Sequence, residues 1–244
     1  MDDYRPETYG DHFADVYDIW YRDISDIEGT VARLVELTGD GLLLELGIGS
    51  GRIALPLRAA GLRVAGVDAS PAMVEALRAK PGGADIPVTV GDMAESLGVP
   101  DASCRVVVAT FNTFFNLTTE AAQARCFELA ARALEPGGAL VLECFVPFDD
   151  APLSGVSPTR MNTGQVVLMA TRRNPVDQTV SGQVIELTDG EPVHLRPWMI
   201  RYASPTQLDT MAASAGLTPE SRTADWGGTP FTTTSGVHVS SWRA

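Results

Sequence analysis

Apolar positions along the chain follow two periods. Leu42, Leu43, Leu44 and Leu46 form a run too short for a helix and too uniform for a half-exposed strand, which predicts a central parallel strand with Glu45 as its one polar residue. Comparable runs predict strands over Arg63 to Val67, Pro87 to Val90, Arg105 to Thr110 and Ala139 to Phe145. Helical spacing predicts helices over Asp26 to Leu37, Arg52 to Ala60 and Thr119 to Leu134, and a further one opened by Ser70 at the N-cap and Pro71 at N1. Strand and helix in alternation predict a doubly wound α/β sheet.

The flanks differ. Tyr9 to Tyr21 predicts one helix with Phe13, Val16, Tyr17, Trp20 and Tyr21 on one side. Phe148 to Thr163 reads as a loop, rich in Pro, Gly, Ser and Asp. Three alternating runs follow, Gln165 to Arg173, Thr179 to Thr188 and Val193 to Tyr202, with turn signals at Asn174-Pro175 and Asp189-Gly190; they predict an antiparallel insertion after strand five. A helix over Pro205 to Ala215 and strands over Leu217 to Thr223 and Gly236 to Trp242 close the chain.

Chemistry gathers at the strand ends. Gly47, Gly49 and Gly51 lack Cβ atoms, so the chain can turn sharply after the first strand and a ligand can approach its main chain. Asp68 ends strand two, where a carboxylate can accept hydrogen bonds from a ribose diol, and Asp92 follows strand three. The dinucleotide fingerprint G-x-G-x-x-G would need glycine where Arg52 stands.

Composition narrows the partners. The 244 residues carry a net charge of −13, from 31 acidic and 18 basic residues, a field that repels nucleic acid. No apolar run approaches the ~18 residues of a membrane span, and the acidic start Met1-Asp-Asp-Tyr4 is unlike a signal peptide, so a cytoplasmic protein is expected. Cys104, Cys126 and Cys144 fit no metal spacing and read as reduced core residues; His12, His194 and His238 are equally dispersed, and no metal is expected.

The acidic-x-G-x-G-x-G pattern from Glu45 to Gly51, the Glu135-Pro-Gly-Gly138 turn and the R-Y-x-x-P-x-x-L-D-x-M-A run after Arg201 resemble class I S-adenosylmethionine (SAM) dependent methyltransferases of the bacterial small-molecule type. The resemblance spans nearly the whole chain. It implies a Rossmann-like, mostly parallel seven-stranded sheet in a single domain over 1–244, with an N-terminal helical lid over 1–40 and an antiparallel β cap over 148–203. It further implies SAM as cofactor, S-adenosylhomocysteine as product, and a cofactor site of Tyr17, Glu45, Gly47, Gly49, Gly51, Arg52, Asp68, Ala69, Met73, Asp92, Met93, Phe111 and Asn112. Tyr9, Phe115, Arg196, Trp198, Tyr202 and Trp226 are the substrate candidates. Neither Asn112 nor Asn116 is followed by proline, unlike the loop of many nucleic-acid amino-methyltransferases, which again favours a small molecule.

A sulfonium methyl is already activated, so the protein's task is to align a nucleophile and exclude water. An amine acceptor needs no base, whereas a hydroxyl usually does. His12 on the expected lid is the base candidate, with Tyr21 and Asn116 as polar groups able to orient a substrate. Methyl transfer to O or N of a metabolite is the expected reaction. The alternatives are another reaction on the same fold, such as cyclisation, and an NAD(P)-dependent oxidoreductase; monomer and homodimer both stay open.

Overall fold

A computed structural model of the chain describes residues 1, 3–22, 25–148 and 152–244. Ahead of the first strand lie α1 (Thr8–Phe13), α2 (Tyr17–Trp20) and α3 (Ile27–Thr38). The first two correct the single helix expected over Tyr9 to Tyr21. The break follows Ala14, and Asp15 uses its carboxylate in an ion pair described below instead of extending a helix face.

The alternating segment is β1 (Leu42–Leu46), α4 (Ala54–Ala59), β2 (Arg63–Asp68), α5 (Pro71–Arg78), β3 (Val88–Val90), β4 (Cys104–Ala109), α6 (Glu120–Ala133) and β5 (Leu134–Phe145). α4 begins two residues later than expected, which leaves Arg52 in the turn. Ser70 caps α5 by accepting the Met73 N–H at 3.1 Å, with Pro71 next, as its sequence predicts. β5 starts earlier than expected, because Leu134 already pairs with Cys104 ahead of the Pro-Gly-Gly turn.

Strand β6 (Ser154–Met161) occupies half of the stretch expected to be a loop. Its side chains are nearly all exposed, and pairing with β7 (Gln165–Asn174) makes it a strand without an inward apolar pattern. Residues 149–151 of that expected loop lie outside the described residues. β8 (Thr179–Thr188), β9 (His194–Arg201), α7 (Pro205–Ser214), β10 (Thr218–Thr223) and β11 (Val237–Arg243) complete the chain.

Seven strands form one sheet in the order β10-β11-β5-β4-β1-β2-β3. All neighbours are parallel except β11, which runs antiparallel to β5 and β10. The central strands are buried on both faces: Leu43, Leu44 and Leu46 of β1 and Val106, Val107 and Val108 of β4 are all 0% exposed. One face packs on α6 and α7 through Phe127, Leu208 and Trp242, the other on α3 and α4 through Leu34 and Leu57. A separate antiparallel sheet in the order β6-β7-β8-β9 packs against α1 and α2 through Val167, Val184 and Phe13.

Candidate cofactor and acceptor site

The turn after β1 is built from left-handed backbone. Gly47, Gly49 and Gly51 have φ of +64°, +55° and +82°, a region that costs other residues energy. A Cβ at Gly47 would lie 2.2 Å from Thr113 Cγ2, and one at Gly51 would lie 2.3 Å from Leu77 Cδ1. Above Gly49 a Cβ would meet only the Gly47 carbonyl, at 3.9 Å, so this point of the turn opens into free space. Gly91, after β3, is equally open.

Asp68 locks the turn to β2. Its Oδ2 accepts the Gly49 N–H at 2.7 Å and its Oδ1 accepts the Ser70 N–H at 2.9 Å. Burial raises its pKa above the ordinary carboxylate value, and these two N–H groups act in the opposite direction. Each oxygen keeps a second lone pair. Asp92 is similarly braced, its Oδ1 accepting the Ala94 N–H at 2.8 Å.

These groups line one cavity at the carboxyl ends of β1, β2 and β3. Gly47, Gly49, Asp68, Ala69, Met73, Asp92 and Met93 are on its wall, together with Tyr9, Tyr17 and Asn116, all of them expected from the sequence. Tyr4, Arg5, Gly10, Thr113 and Ala122 also line it and went unanticipated; nothing in the local pattern around Tyr4 and Arg5 marks them as cavity residues. Gly10 was the legible member of this group. A Cβ there would lie 2.3 Å from Ser70 Cβ, so glycine is what lets α1 sit directly on the start of α5.

Polar contacts hold the N-terminal helices over this cavity. Ser70 Oγ donates to Asp11 Oδ1 at 2.6 Å, Ser50 Oγ donates to Asp18 Oδ1 at 2.6 Å, and Lys80 Nζ pairs with Asp18 Oδ2 at 2.5 Å. The rings of Tyr9, Tyr17, Tyr21 and Phe111 form a chain, with centroids 6.5 Å apart for Tyr9 and Tyr17, 4.8 Å for Tyr17 and Tyr21, and 6.4 Å for Tyr21 and Phe111. Burial pushes the Tyr4 and Tyr17 phenols up to about 12 and the Tyr9 phenol well above its ordinary value, so these hydroxyls stay neutral at physiological pH.

Beneath the turn, Glu45 is 3% exposed and its Oε2 has no partner. Desolvation raises its pKa to about 8 against smaller opposing effects of the Arg52 guanidinium and the Ala54 N–H. Arg52 lies 4.5 Å from the Phe111 ring centroid and donates to Ser25 Oγ at 2.7 Å. Phe111 and Asn112 both adopt positive φ, at +56° and +64°. Glu143 Oε2 holds the Phe111 N–H at 2.8 Å and Asn112 Oδ1 accepts the Phe145 N–H at 2.6 Å. Glu45, Arg52, Phe111 and Asn112 therefore brace the cavity from behind its wall.

Several sequence candidates lie elsewhere. His12 is on the exposed side of α1 with Nδ1 2.9 Å from its own helix carbonyl at Thr8, away from the cavity. Phe115 is 0% exposed within a core cluster with Phe114 and Phe145. Tyr202 is also core, its hydroxyl accepting from Arg173 Nε at 3.0 Å. Trp226 sits across the sheet, beside α3 and β11. Trp198 packs in the cluster behind α1, donating from Nε1 to Met169 Sδ. Arg196 is 5% exposed, bidentate to Asp15 at 2.6 and 2.9 Å, paired with Glu186 at 3.2 Å and donating to the His12 carbonyl. It joins the α1–α2 segment to β9 through both terminal nitrogens, and its Nε is buried without a partner.

A doubly wound sheet with an open glycine cradle, two strand-end carboxylates and an aromatic cover defines a nucleotide-cofactor enzyme of the Rossmann-like class. A family model described as a methyltransferase domain matches residues 43–138. The structure of the CcbJ methyltransferase from Streptomyces caelestis is similar with a TM-score of 0.89 and 37% identity, covering 99% of both chains. The cypemycin N-terminal methyltransferase of a Streptomyces species is 32% identical over 144 residues, and the match spans 58% of this chain and 58% of that protein. A SAM-dependent methyltransferase from Clostridium acetobutylicum shares the fold at 12% identity, with a TM-score of 0.80 over 95% of this chain and 97% of that one. The chain belongs to the SAM-dependent methyltransferase family. Its residues fit that cofactor: Gly49 and Gly91 leave open the space a Cβ would fill, and Asp68 and Asp92 stand at the ends of adjacent strands. Among the described residues no helix is long and apolar enough to cross a membrane.

Proposed function

We propose that the protein transfers the methyl group of SAM to an amine nitrogen of a small molecule. The observation that carries this reading is the composition of the cavity wall. Its ionisable groups are Arg5, the two strand-end carboxylates Asp68 and Asp92, and tyrosines whose pKa values burial raises; among the described residues no histidine lines it. A hydroxyl acceptor would require a base positioned there, while a neutral amine carries its own lone pair. The bound cofactor supplies an activated methyl group. Gly47, Gly49, Asp68, Met73, Asp92 and Met93 are assigned to holding it, and Tyr9, Tyr17 and Asn116 to orienting the amine beside it. Positive charge passes from sulfur to nitrogen during transfer, and the neutral phenol rings present π faces that favour a cation throughout.

Residues 1–40 serve in this reading as a lid that excludes water, and 148–203 as the cap behind it. One relative is named for methylation at an N-terminus, which is an amine. The substrate is a metabolite of the cytoplasm, where the cofactor is available.

The test is incubation of the protein with isotopically methyl-labelled SAM and paired amine and hydroxyl analogues of candidate metabolites, followed by mass spectrometry. Label in the amines and not in the alcohols is expected. Label confined to oxygen products would overturn the assignment of the acceptor, and cofactor turnover into an unlabelled cyclised product would overturn methyl transfer.

A further inference from the structure

The inner face of the four-stranded sheet, towards α1 and α2, carries Val167, Val184, Met169 and Trp198 together with Arg160, Glu186 and Arg196. An antiparallel sheet covered on one side should then turn polar residues to water on the other. Here the outer face is apolar. Pro158, Leu168, Ile185 and Leu195 stand in register across all four strands. The row beside them is Val156, Ala170, Gln183 and Pro197, and a third row is Met161, Val166 and Leu187. These three rows contain no charged residue. Val156 is 67% exposed, Met161 75% and Leu195 54%.

We propose that this face binds the same face of a second copy of the chain, forming an isologous dimer. Two observations select that occupant. First, the rows span four strands about 4.8 Å apart and three steps of about 6.8 Å, roughly 400 Å² of flat sheet. With side-chain relief that is on the order of 700 Å² of accessible surface per copy, in the range of a stable interface. Second, the chain carries −13, so two copies repel one another everywhere except through a patch without charge, and an anionic lipid or nucleic-acid partner is repelled likewise. The contact also backs the sheet that supports α1 and α2, tying assembly to the walls of the cavity.

Sedimentation velocity of the full chain tests this. The expected result is a species of twice the chain mass, strengthened by added salt because repulsion between two acidic copies is screened. Leu195→Glu and Val156→Glu alter residues already exposed and should leave the melting temperature unchanged. Each buries two unpaired carboxylates per dimer and should weaken association about 100-fold. Val176→Glu, at an 88% exposed turn off the face, should leave the dimer intact. A single-chain mass at every concentration would overturn the proposal, as would a dimer that survives both face variants. Single-chain protein that pellets with neutral phosphatidylcholine vesicles would reassign the face to a lipid surface.

Discussion

The Asp18 carboxylate accepts the Ser50 hydroxyl proton at 2.6 Å, joining α2 directly to the glycine turn, and Lys80 closes the triangle by pairing with Asp18 and donating to the Ser50 carbonyl at 2.7 Å. A turn meant to receive a cofactor is thus fastened to the segment proposed to cover it. Asp18→Asn and Ser50→Ala should each raise the dissociation constant for SAM roughly tenfold, the loss of one charge-assisted hydrogen bond. Both contacts are peripheral to the core, so the melting temperature should barely move. Calorimetric titration and a thermal scan on the same variants check the pair of outcomes.

Arg196 makes the opposite kind of contact. Its side chain is 6% exposed, and Glu186 beside it is 17% exposed, whereas Asp15 is 61% exposed. Arg196→Met keeps much of the volume but leaves the Glu186 carboxylate without its cation beside the cluster of Phe13, Val167 and Val184, held only by the Gln165 amide at 2.8 Å. Removing one partner from a mostly buried pair costs about 3 kcal/mol. The loss should appear in chemical denaturation and as faster amide exchange in α1 and β9. Asp15→Asn should cost much less, because its carboxylate is largely solvated.

The contrast between these two contacts shows what the sequence made legible. The uniform apolar runs of β1 and β4, the glycine triplet and the Ser70-Pro71 helix start are local patterns, and local patterns survive in a linear reading. Arg196 and Asp15 lie 181 positions apart, and nothing in either neighbourhood marks them as partners. A basic residue in an inserted strand therefore looked available for an anion. His12 was misplaced for a related reason: helical spacing predicts which residues share a face but not which face meets a ligand. β6 was unreadable because its strand character comes from main-chain pairing with β7, while Gly155 and Pro158 signal a loop. Trp226 followed the resemblance to the sheet's far side.

Asn112 offers a test of backbone geometry at the end of β4. Two consecutive non-glycine residues at positive φ store strain, offset here by the Glu143 and Asn112 side-chain contacts. Asn112→Gly keeps the backbone accessible and loses one acceptor, so a cost of about 1 kcal/mol is expected. Asn112→Val loses the acceptor and forces a β-branched residue into the left-handed region, which should cost at least about 2 kcal/mol and displace Phe111 from beneath Arg52. Denaturation midpoints rank the two variants. Equal costs would mean that the side-chain contact, not the turn conformation, dominates.

Glu45 makes stability depend on pH in an unusual direction. In the unfolded chain its carboxyl titrates near the ordinary value of 4.5, while in the folded protein burial raises it to about 8. Between those values the folded state holds a proton that the unfolded state has released, so ν for the native state exceeds that of the unfolded one and stability falls as pH rises. Below 4.5 both forms are protonated, and above about 8 both are ionised, so the dependence is confined to that window. Glu45→Gln mimics the protonated group and removes the dependence. The variant should match the wild type in melting temperature near pH 5 and exceed it increasingly towards pH 8, with the gap constant beyond. The Asp68 pair of backbone contacts is untouched by this change, so a variant that melted lower at every pH would show instead that Glu45 is ionised in the folded protein and bound to the Ala54 N–H as a carboxylate.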